Sequence, residues 1–470
     1  MALPGTEERN DTNDTDELSP LAPFLHHGAG LVAREDPLLH AALTAEHRRQ
    51  SDTLTLVASS SVVDPSVLAC MSSVAMNVTA EGYPGARYHA GCREIDPIER
   101  YAVDRARSVF RARYANVQAH SASTANYAVL SALLDPGDVI LGMKLDQGGH
   151  LTHGFRVAYS GTYFRAVNYG LDGRGRIDYA QVRRLALEHR PRVVICGATA
   201  HPRTVDFARF REIADEAGAL LLADISHIAG LVATGLHPSP IDHAHVTTTC
   251  THKQLGGPRG ALIMSGRDAA TPVGKDGRPL SRLLDRAVFP FFQGAPILPA
   301  IAAKARALAL VRTDAYRETA RRITEGAALL ADELTRLGHR IVTGGTDNHI
   351  VLLDFIGTPL TGLIAERALE DVGIVVNKNH IPGDPRPSSV TSGLRIGTNS
   401  VAQRGFGPAQ IRQCARLVDT VLRAVRPKGD GEYELDEYLR RSVREEVRKL
   451  TGRFPLARYA PAGVRDEPRA

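Results

Sequence analysis

The segment with the clearest capacity for chemistry holds a lysine between a histidine and a glycine-rich turn. It reads Thr247-Thr-Thr-Cys-Thr-His-Lys-Gln-Leu-Gly-Gly-Pro-Arg-Gly260, so that Lys253 follows a run of hydroxyl side chains. A lysine amine held on a tight loop can form a Schiff base with an aldehyde cofactor. An isolated lysine is more often a solvated surface residue, so this interpretation depends on what surrounds it.

Two upstream segments contain groups that such a cofactor needs. Asp224 follows the apolar run 220–223, at the end of a predicted strand, where α/β proteins form ligand sites. A carboxylate there can keep a pyridinium nitrogen protonated, which makes the ring an electron sink, or it can cap the next helix. The segment 120–126 is rich in small hydroxyl residues and predicts a helix start that could hold a phosphate, although Ser and Thr are also common caps.

Short apolar runs alternate with helical patterns and predict the elements that position these groups. Buried strands, interpreted as parallel, are predicted at 138–143, 193–196, 220–223 and 261–264. Apolar spacing predicts helices at 98–110 and at 210–217, the second ending at Gly218. Beyond residue 310, a helical pattern and strands at 339–342 and 350–353 indicate a smaller C-terminal α/β domain. The alternation predicts an α/β fold.

Composition excludes several classes of protein. The chain has 470 residues, with 57 Lys and Arg against 52 Asp and Glu, and the net charge of +5 is too dilute to indicate nucleic-acid binding. Five widely separated cysteines without a CxxC pair argue against a disulfide framework or a zinc site and fit the reducing cytoplasm. The chain contains no apolar run of about 18 residues, and its acidic N-terminus does not resemble a signal peptide. We therefore expect a cytoplasmic protein without membrane spans.

From about residue 35 to 455 the sequence resembles the serine hydroxymethyltransferase family of pyridoxal-phosphate enzymes. The stretches that carry the resemblance are 81–85, 114–118, 148–154, 206–215, 227–231, 345–349 and 391–395. It implies an aspartate-aminotransferase-like (fold type I) large domain with a mixed, mostly parallel sheet, plus a smaller C-terminal α/β domain. We place a disordered acidic leader at 1–35, the N-terminal arm and large domain at 36–310, the small domain at 311–456 and a tail at 457–470.

The resemblance implies roles for individual residues. Lys253 would hold pyridoxal 5'-phosphate as the internal aldimine, His150 would stack on the ring, and Asp224 would bind its nitrogen. The other implied cofactor-binding residues are Ser121, Ala122, Ser123, Thr199, His227, His252 and, from a partner subunit, Gly294. Arg395 would clamp the substrate carboxylate and Glu81 would be the acid/base group at the substrate hydroxyl. The other implied substrate positions are Ser59, Thr79, Tyr88 and His89, and the folate positions are Leu145, Gly149, Leu151 and Asn379. No metal is implied.

The resemblance also implies partners. Members of this family are obligate dimers, in which Glu81 and the segment of Tyr88 would reach the neighbour's cofactor. We therefore expect a homodimer, or a tetramer built from it, that uses a small amino acid and tetrahydrofolate as substrates. No nucleic acid or membrane partner is expected.

The sequence departs from the family pattern at several positions, most of which we expect around the reacting amino acid. Ala-Ser-Glu-Asn becomes Ala58-Ser-Ser-Ser61, Tyr-Tyr-Gly-Gly becomes Tyr88-His-Ala-Gly91, and Asp146-Gln147 replaces Ala-His. Thr79 stands where the family usually has Tyr. Removing a ring from a close-packed site leaves space that an α-methyl group could fill, unless His89 compensates. In having Thr at this position, the sequence resembles relatives that exchange a hydroxymethyl group between folate and alanine to give α-methylserine.

The preferred hypothesis is therefore hydroxymethyl transfer from folate to alanine. Ordinary serine/glycine hydroxymethyl transfer is one alternative. Another is a folate-independent threonine aldolase or transaldolase, of the kind often found in secondary metabolism, for which Ser60, Ser61 and His89 could suit a bulkier aldehyde. A third hypothesis is a catalytically dead homologue that serves as a binding or regulatory subunit. The residues that argue against it are the intact Lys253, Asp224, His150 and Arg395.

Overall fold

The computed structural model describes residues 21–273 and 277–456. The chain divides into two units, 1–49 and 50–470. Within the first unit, α1 (Leu21–Glu35) is followed by α2 (Pro37–Asp52), which continues past the unit's end. The predicted disordered leader is thus wrong for 21–35, because Phe24, Leu25, Leu31 and Val32 recur at helical spacing after the acidic stretch ends. Residues 1–20 and the predicted tail at 457–470 lie outside the described residues.

The second unit contains the remaining helices and all strands of the described residues. Its α-helices are α3 (Pro65–Met71), α4 (Ile95–Phe110), α5 (Ala122–Leu133), α6 (Tyr159–Tyr163), α7 (Tyr179–His189), α8 (Phe207–Ala217), α9 (Ala229–Thr234), α10 (Leu280–Arg286), α11 (Leu298–Val311), α12 (Asp314–Arg336), α13 (Gly362–Asp371), α14 (Asn399–Gln403), α15 (Pro408–Ala424) and α16 (Glu437–Arg453). Single helical turns lie at Val74–Asn77, Leu145–Gln147, Leu151–His153, Arg267–Ala270, Ala287–Phe292 and Val342–Gly344.

The strands are mostly short. They are β1 (Leu54–Thr55), β2 (Gly82–Tyr83), β3 (Ala86–Arg87), β4 (Tyr114–Asn116), β5 (Val139–Met143), β6 (Arg165–Tyr169), β7 (Val193–Cys196), β8 (Leu220–Asp224), β9 (Val246–Cys250), β10 (Ala261–Ser265), β11 (Pro272–Val273), β12 (Arg278–Pro279), β13 (Arg340–Ile341), β14 (Ile350–Asp354), β15 (Ile374–Val375), β16 (Asn377–Asn379), β17 (Gly393–Gly397), β18 (Arg426–Pro427) and β19 (Tyr433–Glu434).

Seven strands form the central sheet in the order β4-β10-β9-β8-β7-β5-β6. The four pairings from β9 to β6 are parallel, which confirms the predicted mixed, mostly parallel sheet. The run 261–264 was expected to be parallel, and this expectation is wrong: β10 is antiparallel to both β9 and β4. An apolar run indicates that both faces of a strand are buried, but it does not indicate the direction of the strand relative to its neighbours. The connection between β9 and β10 is short, which favours an antiparallel pair.

A second sheet, β13-β14-β17-β16, is antiparallel throughout. Its first strand covers only Arg340–Ile341 of the predicted 339–342, because a helical turn begins at Val342. The buried side chains around this sheet, among them Leu330, Val351 and Val418, form their own core, which also takes in Leu54. The predicted domain boundary near residue 310 stays a prediction.

Helix α8 shows how local sequence sets the ends of an element that packs on the central sheet. Asp206 caps its start by accepting a hydrogen bond from the backbone N–H of Arg209 (3.0 Å), and Phe210 and Ile213 are buried on its inner face. It ends where Gly218 adopts a left-handed conformation (φ 70°), which a glycine accepts without strain. Across the described residues, no helix combines the length and apolarity that crossing a bilayer requires.

Candidate active site

A cavity of about 480 Å³ lies at the carboxyl ends of the parallel strands β5, β7 and β8. Loops that leave these strands carry several of the residues predicted for the site, among them His150 and Thr199, as expected for an open α/β sheet. The predicted residues that line the cavity are Ser59, Ser121, Ala122, Ser123, Leu145, Gly149, His150, Leu151, Thr199, Asp224, His227, His252, Lys253, Asn379 and Arg395. The structure thus brings together cofactor, carboxylate and folate positions that are widely separated in sequence.

Asp224 ends strand β8 and is held by three hydrogen bonds. Its Oδ2 accepts from Asn126 Nδ2 (2.8 Å) and faces His153 Nε2 (3.3 Å), and its Oδ1 accepts from the backbone N–H of Ser226 (3.0 Å). Burial alone would raise the pKa of this carboxyl, but the hydrogen bond and charge of His153 outweigh it and hold the pKa of Asp224 well below its usual range. Asp224 is therefore a carboxylate at neutral pH, able to keep a ring nitrogen protonated.

His150 stands on the same side of the cavity with its orientation fixed. Its Nδ1 accepts from the backbone N–H of Thr152 (3.2 Å) and pairs with Thr152 Oγ1 (2.8 Å). Burial, with His153 and Lys253 nearby, lowers the pKa of His150 to about 4, so that the ring is neutral at pH 7. A neutral imidazole can stack on an aromatic ring without placing a charge against it.

The ligand atoms of His150, His153 and Asp224 lie within 4.8 Å of one another, a spacing that could also hold a metal ion. His150 Nδ1 and His153 Nε2 are already used, however, by Thr152 and Asp224. We therefore assign these three side chains to the site of the predicted organic cofactor and not to a metal site.

The predicted phosphate end is the N-terminus of helix α5. Ser121 caps it, its Oγ accepting from the backbone N–H of Thr124 (3.1 Å). The N–H groups of Ala122 and Ser123 lie in the first turn, where a helix has no internal acceptor for them. Anions bind such N–H groups, and the helix dipole adds to the attraction. The sequence prediction of a helix start within 120–126 is confirmed.

Lys253 lies on the connection between β9 and β10, and this connection is held by its own backbone. The carbonyl of Lys253 accepts from Gly256 N–H (3.0 Å), and Thr251 Oγ1 donates to Pro258 O (2.6 Å). Neighbouring His252 is partly buried, and burial together with Arg259 and Lys253 lowers its pKa to about 4. The loop thus presents the Lys253 amine at the cavity beside a neutral imidazole.

Arg395, on strand β17, reaches the cavity from the second sheet. Its Nε donates to Asn377 Oδ1 (3.0 Å) and its Nη1 to the carbonyl of Thr199 (2.6 Å). Burial lowers the pKa of Arg395 to about 10, which still leaves the guanidinium charged at pH 7. Two partners fix the plane of the fork, so its remaining N–H groups are positioned for a planar anion such as a carboxylate.

Five predicted site residues do not line this cavity as the described residues form it: Thr79, Glu81, Tyr88, His89 and Gly294. Four of them lie near one another. Glu81 Oε2 lies 3.5 Å from His89 Nε2, and a Cβ on Gly294 would lie 3.5 Å from Glu81 Oε1. Tyr88 is 76% exposed, with its ring 5.7 Å from that of Phe289, and Thr79 is exposed as well. We call Glu81, Tyr88, His89 and Gly294 the second cluster.

Several of the family departures serve local structure rather than the cavity. Ser61 pairs with the side chain of Gln403, and Gln147 Oε1 accepts from the backbone N–H of Leu171 (2.6 Å). Asp146 pairs with Lys144 (2.8 Å). The expectation that most departures surround the reacting amino acid is therefore wrong for these three. Of the stretch 58–61, Ser59 lines the cavity.

Sequence reasoning missed side chains that position the predicted ones. Asn126 and His153 hold Asp224, Asn377 holds Arg395, and His349 stacks on His227 with ring centroids 5.8 Å apart. None of them has a spacing signal of its own, because each contact joins distant parts of the chain. In the sequence, His150 and His153 are only two histidines that follow a pair of glycines, and nothing there indicates their contacts.

The cavity suits a polar, anionic, ring-bearing ligand. The Nδ1 atoms of His227 and His252 are buried and have no hydrogen-bond partner among the described residues. Buried polar atoms of this kind usually have a partner, so a ligand with hydrogen-bonding groups fits here. Lys253, Arg259 and Arg395 supply three cations around the single carboxylate of Asp224. An amine, a carboxylate for a ring nitrogen and a helix start for a phosphate are the groups that pyridoxal 5'-phosphate requires.

Comparison with known families gives one match. Residues 32–418 match the family model described as Serine hydroxymethyltransferase. The match includes the cavity and the second cluster.

Proposed function

Because the chain belongs to the serine hydroxymethyltransferase family of fold type I, pyridoxal-phosphate-dependent one-carbon transferases, we propose that it transfers a hydroxymethyl group from a folate to alanine, giving α-methylserine. In balance, alanine, methylenetetrahydrofolate and water give α-methylserine and tetrahydrofolate. The Cα–H bond of alanine and both C–N bonds of the methylene bridge break, and the one-carbon unit gains a bond to Cα and a bond to the water oxygen. The Cα proton and one water proton go to the folate nitrogens. The observation that carries the proposal is the convergence of Lys253, Asp224 and Arg395 on one cavity.

The residues of the cavity divide the work. Pyridoxal phosphate, when bound, supplies an electron-withdrawing ring that stabilises negative charge at the substrate Cα. Lys253 would hold its aldehyde carbon, the carboxylate of Asp224 would keep its ring nitrogen protonated, and His150 would pack on the ring. Ser121 and the first N–H groups of α5, with Thr199, His227 and His252 nearby, complete the cofactor site. Arg395 binds the substrate carboxylate, so that Cα is fixed relative to the ring.

Folate binding is supported by two neighbouring spaces. Leu145, Gly149, Leu151 and Asn379 line the first cavity. A second cavity of about 580 Å³ shares Leu145 and His150 with it. Its lining includes the cations Arg156 and Arg165, and Lys144 paired with Asp146. Apolar walls suit a pterin ring, and the cations suit an anionic folate tail. We assign this pair of cavities to tetrahydrofolate.

The second cluster is assigned to the active site of a partner subunit. Glu81 would hold the proton at the hydroxymethyl oxygen there, and Gly294 would approach the cofactor phosphate. The exposure of Tyr88 and the fact that the second cluster does not line the chain's own cavity support this assignment. A homodimer would place two second clusters against two cavities by one twofold axis.

Alanine is preferred over glycine because of Thr79. This side chain precedes Glu81 by two residues and is exposed, so it is free to contact a partner's substrate. A threonine in place of a tyrosine leaves a volume that the extra methyl of alanine would fill. Ser59, which lines the cavity, is also small.

Proton exchange at Cα tests the proposal. The holoenzyme in D₂O should exchange the α-proton of alanine, as followed by ¹H NMR, and should form α-methylserine when methylenetetrahydrofolate is added. Exchange with glycine and none with alanine would contradict the alanine preference and favour serine/glycine transfer. Carbon–carbon bond formation from threonine and an aldehyde without folate would instead favour a transaldolase.

The cellular location is proposed on separate grounds. The five cysteines form no disulfide, and four of them are buried. A chain that keeps its cysteines as thiols fits a reducing compartment, so we propose that the protein works in the cytoplasm.

A further inference from the structure

Lys304, on helix α11, is one of the largest fully buried side chains of the described residues, with an exposure of 2%. Its Nζ donates to three backbone carbonyls, those of Val117 (2.5 Å), Ala119 (3.1 Å) and Ala261 (3.1 Å). Two of them lie just past strand β4 and the third begins β10. Lys304 does not line the cavity, and the family-derived roles do not include it.

The three contacts indicate the charged form of the amine. An ammonium group has three N–H donors, whereas a neutral amine has only two. Burial lowers the pKa of Lys304 to about 7 and the carboxylate of Glu99 raises it. A buried charge persists only when its hydrogen bonds are satisfied, and here each N–H has its own acceptor.

The carbonyls that Lys304 holds belong to the segment that enters the predicted phosphate site. Val117 and Ala119 are followed directly by His120 and by Ser121, the cap of helix α5. Between them, the carbonyl of Gln118 accepts from Gln293 Nε2 (2.9 Å). Three successive carbonyls just ahead of α5 are thus held by two side chains from distant parts of the chain.

Space around the lysine is also fully used. A Cβ on Gly260 would lie 2.4 Å from Lys304 Cε, so the side chain passes directly against the backbone at the start of β10. The ammonium therefore connects β4, β10 and α11 next to the segment that enters the phosphate site. The close packing leaves no space for the bulkier side chain of an arginine.

We propose that Lys304 is a positioning residue for the cofactor phosphate: its ammonium group fixes segment 117–119 and thereby places Ser121, Ala122 and Ser123. This inference rests on the proposed function, in which these three residues hold the phosphate. Lys304 does not touch the cofactor. It acts through the backbone, and its loss should affect the phosphate end and not the ring end of the site.

Two ligands separate these ends. The full chain, stripped of cofactor, is titrated by equilibrium dialysis with pyridoxal 5'-phosphate and with pyridoxal, which has the same ring and no phosphate. Lys304→Met keeps a long apolar side chain and removes the three donors. We expect it to weaken binding of pyridoxal 5'-phosphate by about 10-fold or more, and to change the affinity for pyridoxal by less than about 2-fold.

The matched control is Leu308→Ala, one turn further along the same helix and also fully buried. It destabilises α11 without touching the three carbonyls, and it should leave the ratio of the two affinities unchanged. Thermal unfolding of both variants separates a loss of stability from a loss of positioning. If Lys304→Met does not fold, Lys304→Gln, which keeps two N–H donors but no charge, should show the same selective loss.

Each outcome decides a different claim. An equal loss of affinity for both ligands, or no loss for either, in the Lys304 variants would overturn the positioning role. If the wild-type chain itself binds pyridoxal 5'-phosphate no more tightly than pyridoxal, the assignment of residues 121–123 to a phosphate is wrong instead.

Discussion

The proposed cofactor site depends most on one residue, Asp224, through its carboxylate. It is the one anion among the cavity-lining residues, and Asn126, His153 and Ser226 keep it in place. Its type and its position after an apolar strand were visible in the sequence. The partners were not, because they come from residues up to 98 positions away.

Replacing this charge tests its role. Asp224→Asn keeps the shape and loses the charge, so the ring nitrogen would no longer be held protonated. We expect kcat to fall by roughly 100-fold or more, the order seen when one preorganised electrostatic group is removed. Asp215→Asn, at an exposed pair with Arg211, is the matched control and should leave kcat unchanged. Equal rates for wild type and Asp224→Asn would remove Asp224 from the mechanism.

The depressed pKa of Asp224 also predicts a pH dependence of stability. A carboxyl whose pKa is lower in the folded than in the unfolded chain stabilises the fold above the unfolded value, about 3.9, and loses this contribution as the pH falls through the folded value. The difference in urea midpoint between wild type and Asp224→Asn should therefore be constant from pH 8 to pH 5 and shrink only below about pH 4. A difference that disappears between pH 6 and 5 would mean that the pKa is raised.

Thr79 carries the proposed preference for alanine. Thr79→Tyr restores the ring that the family usually has, and it should exclude the methyl group of alanine. We expect the ratio of kcat/KM for alanine to that for glycine to fall by about 10- to 100-fold, the usual worth of one methyl group in a pocket. Glycine serves as the internal control. An unchanged ratio would show that Thr79 does not contact the substrate.

Among the elements, those with local signals were predictable and those defined by pairing were not. Strand β7 has the predicted bounds, and α8 ends at the predicted glycine. The direction of β10 could not be derived, because an apolar run has the same composition in either direction. Helix α1 was missed because the acidic stretch before it dominated the composition of the first 35 residues.

The end of α8 gives a prediction about an element. Gly218 has φ 70° and open space where a Cβ would lie, so Gly218→Ala costs only backbone strain, about 1 kcal/mol. Gly452, within α16, also has open space but no positive φ, so Gly452→Ala should stabilise the fold by about 0.5–1 kcal/mol. Urea unfolding at equal protein concentration measures both. The same sign for both changes would contradict the assigned helix end.

At the scale of the whole molecule, the sequence located most of the cavity, and the resemblance implied that Glu81 and the segment of Tyr88 serve a partner's site. The resemblance covers long motifs, and fifteen of the residues predicted from them line the cavity. The order of the strands places those motifs at one edge of the sheet. In the folded chain the second cluster does not line the chain's own cavity. The spacing of residues in the sequence does not show this.

A divided site predicts complementation between subunits. Lys253→Ala and Glu81→Gln should each be nearly inactive alone. After mixing and subunit exchange, about half of the dimers are mixed and each has one intact site of two, so about a quarter of the wild-type activity should return. Mixing either variant with itself is the control. If no activity returns although native mass spectrometry shows mixed dimers, Glu81 works in its own subunit.

The central claim is that the enzyme adds a hydroxymethyl group to alanine in preference to glycine. The most direct measurement supplies equal concentrations of both amino acids, with methylenetetrahydrofolate and the holoenzyme, and quantifies the products by mass spectrometry. We expect α-methylserine as the main product, formed only when folate is present. Serine as the main product, or α-methylserine formed at the same rate without folate, would contradict it.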